Sequence, residues 1–186
     1  MGLVAAVAFI QLTACSSDSS PLAERQARSS DATNGSAAIQ PCAATALEAT
    51  GGWQGATGSM AGGVWFTNRG SALCSLQGYL GIRIRSEGRD LPVEVVHSTA
   101  SLQRAPSDAP AAAVTLAPNA ERAADILVQW LNWCGDSPTN ITVGVVVGDL
   151  VVTVLPTTDL DFSGVARCDD TAAPSRLLEA PVEAAR

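Results

Sequence analysis

The feature of this sequence that most constrains its fold is an alternation of apolar and polar residues with a period of two. The clearest case is residues 82–85, where two isoleucines alternate with two arginines. Successive side chains of a β-strand point to opposite faces, so this segment predicts a strand with one buried and one solvated face. Turn residues recur about every ten residues between positions 42 and 170, a pattern typical of a small all-β sandwich or barrel.

Two hairpins follow from this pattern. Residues 82–85 lead through turn residues at 86–90 into a second alternating segment at 91–95. Residues 141–147 and 150–155 are joined by Gly148 and Asp149, and glycine in the first central position suits a type II′ turn. The remaining strand candidates are residues 44–50, 60–68, 113–117 and 160–167.

Residues 119–131 fit both a helix and a strand. A stripe of alanines and leucines at helical spacing follows Asn119, a good N-cap, whereas Ile126, Val128 and Trp130 alternate as in a strand. We predict a strand, because the neighbouring segments are strands and a two-layer sandwich has little room for a helix.

The N-terminus predicts export and lipid attachment. Residues 3–12 form an apolar run interrupted only by Gln11, which is too short to span a bilayer and is typical of a secretory signal. Leu12, Thr13, Ala14 and Cys15 follow and resemble a bacterial lipobox, although no basic residue precedes the run. We therefore predict a lipoprotein signal peptide at residues 1–14 and lipid attachment at Cys15. The alternative is a buried N-terminal strand with a chance cysteine.

Composition divides the remaining chain into three parts. Residues 15–41 are rich in serine and alanine and contain no aromatic residue, which predicts a flexible tether with an end-to-end distance of about 28 Å. Residues 42–170 carry the alternating pattern and form the predicted β-sandwich domain. Residues 171–186 are predicted to be a C-terminal tail.

The charges of the chain exclude several functions. Its 18 acidic residues outnumber the 11 basic ones and give a net charge of -7, so we predict no binding to nucleic acid. All basic residues are arginines, and the absence of lysine excludes Schiff-base chemistry and a P-loop.

Four cysteines remain besides Cys15, and an even number in an exported chain predicts two disulfides. If residues 44–50 and 60–68 form an antiparallel hairpin, Cys42 lies near Cys74. The hairpin at Gly148 and Asp149 likewise brings Cys134 towards Cys168, so we predict these two pairs. Pairing Cys42 with Cys168 would instead join the first strand to the last, which a sandwich also permits. A zinc site is disfavoured, because there is no Cys-x-x-Cys pair.

Several segments together resemble a known family. They are Val-Trp-Phe-Thr-Asn at residues 64–68, Cys-Ser-Leu-Gln-Gly-Tyr-Leu-Gly at 74–81 and Val-Thr-Leu-Ala-Pro at 114–118. The order of these segments, with one cysteine before them and further cysteines after them, is similar to that in the actinobacterial lipoprotein domain of unknown function catalogued as family 4232. The chain departs from that family at Leu80, where proline is usual, and at Asn119, where glycine is usual. The resemblance implies a lipid-anchored, immunoglobulin-like antiparallel β-sandwich and no assigned activity.

Candidate catalytic and metal-binding residues are few. His97 is the single histidine, and no Gly-x-Ser-x-Gly or His-Glu-x-x-His motif occurs, so we predict no enzyme, no catalytic residue and no cofactor. Asp159 and Asp161 share a predicted strand face, but one strand cannot flank a sugar on both sides. With Asp169 and Asp170 they lack the spacing of a calcium loop, so we predict no metal site.

Trp53 is the candidate contact residue for a partner. It lies in the glycine-rich segment 51–58, which predicts an exposed loop, whereas Trp65, Trp130 and Trp133 fit a core. The alternative is that Trp53 folds back over the core.

Three functions remain open from the sequence. We expect a non-catalytic binding or accessory module at the extracytoplasmic face of the cell membrane, attached by its lipid and contacting an envelope protein or polymer. The alternatives are a structural envelope lipoprotein without a ligand, and an enzyme. A pocket lined by Trp53, Trp130 or Trp133 would favour binding, and a cleft with His97 and two carboxylates would favour an enzyme.

Overall fold

The computed structural model describes residues 38–98 and 111–185. The predicted signal peptide, Cys15 and the tether as far as residue 37 lie outside the described residues. Within them the predicted all-β class is confirmed, because apart from one 3-10 turn at Ala44–Ala46 the regular elements are strands. No helix among the described residues is long and apolar enough to cross a membrane. The strands are β1 (Leu47–Ala56), β2 (Ser59–Asn68), β3 (Cys74–Leu76), β4 (Ile82–Ser86), β5 (Arg89–Asp90), β6 (Glu94–His97), β7 (Val114–Leu116), β8 (Ala124–Leu131), β9 (Ile141–Val147), β10 (Leu150–Pro156), β11 (Arg176–Glu179) and β12 (Glu183–Ala184).

Ten of these strands form one sheet that curls into a half-barrel, in the order β5-β4-β9-β10-β1-β2-β8-β11-β6, with β12 paired to β8. The prediction of a purely antiparallel sheet is wrong, because β1 runs parallel to β10 and β11 runs parallel to β6. Strand β1 pairs with β10 along one edge and with β2 along the other, and it therefore joins the two halves of the sheet. Strands β3 and β7 form a separate two-stranded sheet.

The predicted hairpin of residues 141–147 and 150–155 is present as β9 and β10, whereas the predicted pairing of residues 82–85 with 91–95 is wrong, because β4 pairs with the short strand β5. Gly148 has a φ of +60° in the β9–β10 turn, as the type II′ geometry requires. In the β4–β5 turn Glu87 and Gly88 both have left-handed φ values, 49° and 79°. The alternating segment after this turn does not continue along β4 as predicted. The chain separates from β4 after Leu91. Strand β6, which continues this segment, pairs with β11 at the other end of the sheet.

The ambiguous residues 119–131 contain a strand, as predicted. Asn119 has a left-handed φ of 58°, a conformation that glycine adopts freely and asparagine tolerates, and its N–H donates to the Asn68 carbonyl. Asn119 thus ends a turn instead of capping a helix. Strand β8 begins five residues later and pairs with β2 on one edge and β11 on the other.

Aromatic side chains fill much of the core. Trp130 is fully buried and packs against Trp53 and Trp133, with ring centroids 5.4 Å apart in both pairs. Its indole N–H donates to the Ser175 hydroxyl, so the polar atom of the ring is satisfied. Phe162 packs edge-on against Trp53 at 4.8 Å.

Two predicted boundaries are wrong. Residues 160–167 form no strand, because the segment pairs with β1 only at the single bridge between Asp161 and Trp53. Its apolar residues Phe162 and Ala166 instead fill the core from a loop. The predicted tail after residue 170 is part of the domain, since β11 inserts between β8 and β6 and Leu177 is fully buried.

The structure contains the disulfides Cys42–Cys74 and Cys134–Cys168, the pairing that the predicted hairpins favour. Near the second disulfide, Asn132 joins the end of β8 to the segment that follows Cys168. Its amide donates to the Asp170 and Ala173 carbonyls, and its oxygen accepts the N–H groups of Asp169 and Asp170.

Candidate functional site

A cavity of about 170 Å³ opens at the surface where the two ends of the curled sheet approach each other. Strands β4 and β5 line one side, and β6 and β11 line the other. We call this opening the seam. Its lining residues are Ile82, Arg83, Ile84, Asp90, Leu91, Val93, Val95 and Leu177.

The alternation in the sequence explains why both aliphatic and charged residues line the seam. Ile82 and Ile84 are buried, whereas Arg83, which lies between them, is exposed. Val95 lies in register with the fully buried Leu177 and therefore shares its face of the sheet, yet it remains 36% exposed. The hydrophobic core consequently reaches the surface at Val95, at the last strand of the sheet.

Glu179 is buried two residues after Leu177 on the same face of β11. Its Oε1 accepts hydrogen bonds from the backbone N–H groups of Leu80 and Gly81, at 2.9 and 3.0 Å. Its Oε2 is buried without a hydrogen-bond partner among the described residues. The carboxylate therefore attaches β11 to the Gly-Tyr-Leu-Gly segment at residues 78–81.

The environment of Glu179 changes its acidity. Burial raises the pKa of the Glu179 carboxyl, because the charged form loses hydration. The N–H groups of Gly81 and Leu80 act in the opposite direction, as does the nearby His97. Burial is the largest of these effects, so the pKa remains above its ordinary value.

His97 ends β6 and covers this carboxylate. Its Nε2 lies 3.9 Å from Glu179 Oε2, and its ring stacks on Tyr79 with centroids 4.1 Å apart and planes 3° apart. The imidazole is about half exposed, as expected for a histidine at the end of a strand. Among the described residues, Glu179 is the carboxylate within 4.0 Å of this ring.

The prediction that Trp53 lies on an exposed loop is wrong. Residues 51–56 belong to β1, Trp53 is only 3% exposed, and its indole N–H donates to the Gly164 carbonyl. The glycines do not form a loop but allow another segment to pack closely against β1. A Cβ on Gly52 would lie only 2.5 Å from Leu160 Cβ. Trp130 and Trp133 are buried as well, so no tryptophan among these three lines an open pocket.

The aspartates weighed as metal ligands serve local structure. Asp161 accepts hydrogen bonds from the backbone and hydroxyl of Ser163, which lower its pKa, and Asp169 pairs with Arg167. Asp170 accepts the N–H of Ala172. Within residues 38–98 and 111–185, no group of three or more histidine, cysteine, aspartate or glutamate side chains could hold a metal ion.

The contribution of residues 171–185 to this site was not predicted from the sequence. The signal was present, because Leu177, Leu178 and Val182 are apolar residues in the segment interpreted as a tail. Nothing in the local sequence marks Glu179 as buried. Its burial depends on the turn at Leu80 and Gly81, about a hundred residues earlier in the chain.

Comparison with known families gives a match over most of the described domain. The profile of the family described as "Domain of unknown function (DUF4232)" matches residues 42–173. No curated protein and no solved structure matches the chain. The matched region contains both disulfides and the β4 side of the seam, and it ends before β11.

Proposed function

We propose that this chain, which belongs to the DUF4232 family, is a non-catalytic binding module whose binding surface is the seam. The observation that carries the proposal is the open cavity at the edge of the sheet, where aliphatic residues lie beside Arg83 and Asp90 and Val95 is 36% exposed. Concave sites that combine apolar side chains with a few polar groups are typical of ligand binding. The surroundings of His97 support a non-catalytic role, because its neighbour Glu179 is engaged by two backbone N–H groups.

The seam can be tested in the full chain in its producing cell. We expect a photo-cross-linking residue at position 93, inside the seam, to form a discrete adduct with a partner. Val95→Asp should reduce this adduct at least tenfold, because a partner that covers this position would remove the hydration of the carboxylate. The matched control is Val151→Asp, since Val151 is a similarly exposed valine, at 45%, on β10.

An adduct that is equally strong in Val95→Asp would contradict a binding seam. Absence of any adduct would favour the alternative of a structural envelope protein without a ligand.

We further propose that the module is attached to the extracytoplasmic face of the membrane by a lipid on Cys15. The support is the lipobox-like sequence at residues 12–15 and the apolar run before it. We expect Cys15→Ser to block processing or to move the protein from the detergent phase to the aqueous phase in a phase-partition assay. A diacylglyceryl group provides two chains, enough for stable attachment. A wild-type protein that already partitions into the aqueous phase would refute this proposal.

We also propose that the curled sheet is an immunoglobulin-like sandwich closed along one side by β1. In such a sandwich strands A, B, E and D form one sheet and C, F and G the other. The orders β1-β2-β8 and β4-β9-β10 correspond to A-B-E and C-F-G, and β11 occupies the position of D. Nuclear Overhauser contacts between methyl groups of β9 and β8 would support facing sheets, and their absence would favour an open half-barrel.

A further inference from the structure

We propose that His97 and Glu179 form a pH-sensitive latch on the last strand of the sheet. When the neutral imidazole and the ionised carboxylate together take up one proton, the imidazole contacts Glu179 Oε2 and joins the end of β6 to β11. Loss of that proton releases the end of the strand. Three observations carry the proposal: the single attachment of β6, the unpartnered oxygen beside the imidazole, and the aromatic ring stacked on it. The latch does not depend on what the seam binds.

Strand β6 is attached to the sheet along one edge. Among the described residues, β11 is the strand that pairs with it, and the other edge has no strand beside it. The backbone N–H of Glu94 donates to Ser175 at the start of this pairing, and the N–H of Ser98 donates to Glu179 at its end. A short terminal strand with few buried contacts opens at a low cost in free energy. A side-chain contact at one end can therefore change how often that end is open.

The Glu179 carboxylate offers an acceptor at this end of the strand. Its Oε1 accepts the N–H groups of Leu80 and Gly81, whereas its Oε2 is buried with no hydrogen-bond partner among the described residues. A buried acceptor without a partner costs free energy, so a donor that reaches it is stabilising. His97 Nε2 lies 3.9 Å from Oε2, which is about 1 Å longer than a hydrogen bond between charged groups. A small movement of the half-exposed imidazole would form that bond.

Tyr79 restricts how the imidazole can move. The two rings are stacked with centroids 4.1 Å apart and planes 3° apart, so the imidazole can slide parallel to the phenol ring while the stack is kept. A positive charge on the imidazole strengthens this contact, because a cation is attracted to the face of an aromatic ring. Both neighbours of the imidazole, Tyr79 and Glu179, therefore hold it more tightly when it is charged.

The number of protons on the pair decides whether the latch is closed. Burial raises the pKa of the Glu179 carboxyl towards the range in which histidine side chains titrate. With one added proton, either group can hold it, and a hydrogen bond joins Nε2 to Oε2 in both cases. Without it, the imidazole is neutral and has no charge that attracts the carboxylate. The latch therefore closes as the pH falls from the alkaline side.

The other charged groups around β6 do not pair with the latch. From β8, the residue in register with Glu179 is the apolar Val128. The remaining charged residues lie at the opposite end of β6 and β11, across the seam on β4 and β5, and on β12 beside the Gly78 turn. They are Glu94 and Arg176, which pair with each other at 3.2 Å, Arg83 and Asp90, and Glu183. Among the described residues, the ion-pair partner within 4.0 Å of the imidazole is Glu179.

The test is amide hydrogen exchange of the purified full chain, labelled with ¹⁵N, at pH 8 and pH 6. Each rate is expressed as protection relative to an unstructured peptide at the same pH. The reporter is the amide of Ser98, which donates to the Glu179 carbonyl, and the reference is the amide of Glu94 at the other end of β6. We expect protection at Ser98 to be at least about threefold higher at pH 6, as for a half-exposed charge pair, and protection at Glu94 to change less.

Two variants separate the latch from other effects of pH. His97→Gln removes the titrating ring, so protection at Ser98 should become equal at the two pH values. Glu94→Gln is the matched control, because it breaks an exposed ion pair on the same strand and should leave the response at Ser98 in place. The chain has a single histidine, so its Nε2 proton gives a unique NMR signal. We expect this signal at pH 6 in the wild type and in Glu94→Gln, and its loss through exchange with water in Glu179→Gln.

Three results would refute the latch. The first is equal protection at Ser98 at both pH values in the wild type. The second is a response at Ser98 that persists in His97→Gln, because the pair would then not be its source. The third is a response of the same size at Glu94, which would show that the stability of the whole strand had changed. The cross-linking test of the seam is independent of all three.

Discussion

Replacing Trp53 by alanine is expected to lower the free energy of unfolding by about 3–5 kcal/mol. The indole is buried on β1, contacts the rings of Trp130 and Phe162, and donates its N–H to the Gly164 carbonyl. Alanine would leave a cavity between these rings and an unpaired carbonyl. Chemical denaturation of both proteins at one pH measures the loss, provided that the slope of the transition is unchanged.

The matched control for this prediction is Trp65→Ala. Trp65 is a neighbouring tryptophan on β2, but it is only half-buried and contacts the guanidinium of Arg122 at 5.1 Å. A cation–π contact at an exposed site contributes about 0.5–1 kcal/mol, so its truncation should destabilise much less than that of Trp53. Equal losses for both variants would contradict the assignment of Trp53 to the core.

Glu179→Ala is expected to destabilise the domain by about 2–6 kcal/mol, because it leaves the N–H groups of Leu80 and Gly81 without their acceptor. Glu179→Gln should lose much less, since an amide oxygen can accept the same two hydrogen bonds. Glu48→Ala is a suitable control. Glu48 forms an exposed ion pair with Arg69, and such pairs contribute about 0–1 kcal/mol. If Glu179→Ala proves no more destabilising than Glu48→Ala, the carboxylate does not hold β11 to the turn.

Glu179 also predicts a pH dependence of stability. Burial raises the pKa of its carboxyl above the ordinary value of 4.5, so the folded state binds this proton more tightly than the unfolded state. The resulting stabilisation is fully present below the unfolded pKa and is lost as pH rises through the folded pKa. We expect the free energy of unfolding of the wild type, relative to that of Glu179→Gln, to fall as the pH rises above 4.5.

Measurement of the free energy of unfolding of both proteins between pH 4 and pH 8 tests this dependence. The difference between the two values removes the contribution of the exposed carboxylates, which both proteins share. Repeating it in a His97→Gln background separates the carboxyl from the imidazole that faces it. A difference between wild type and Glu179→Gln that stays constant or increases with pH would show that burial does not dominate the acidity of Glu179.

Much of the fold follows from local patterns. The alternation at residues 82–85 reproduces the observed burial of Ile82 and Ile84, and Gly148 forms the predicted turn. The observed disulfides are those favoured by a hairpin of residues 44–50 and 60–68 and by the hairpin at Gly148. These predictions succeed because side-chain direction in a strand and backbone freedom in a two-residue turn depend on adjacent residues.

The candidate site could not be predicted in the same way. Trp53 and its glycines are typical of a loop when considered alone, yet the glycines allow Leu160 to approach β1 and bury the indole. The seam joins β4 and β5 to β6 and β11, and the last of these strands lies in a segment that resembles a tail. Its existence depends on which strands become neighbours, and strand periodicity carries no information about that choice.

The sequence by itself determined the all-β class and the position of most strands, and it favoured the observed pairing of the cysteines, because these depend on local alternation, turn residues and the proximity that hairpins create. The tertiary structure alone decided that β1 pairs with β10 as well as β2, that β11 enters the sheet, and that Glu179 is buried against Leu80 and Gly81. Those outcomes depend on contacts between residues far apart in the chain, where the burial of a whole face outweighs the preference of any one segment.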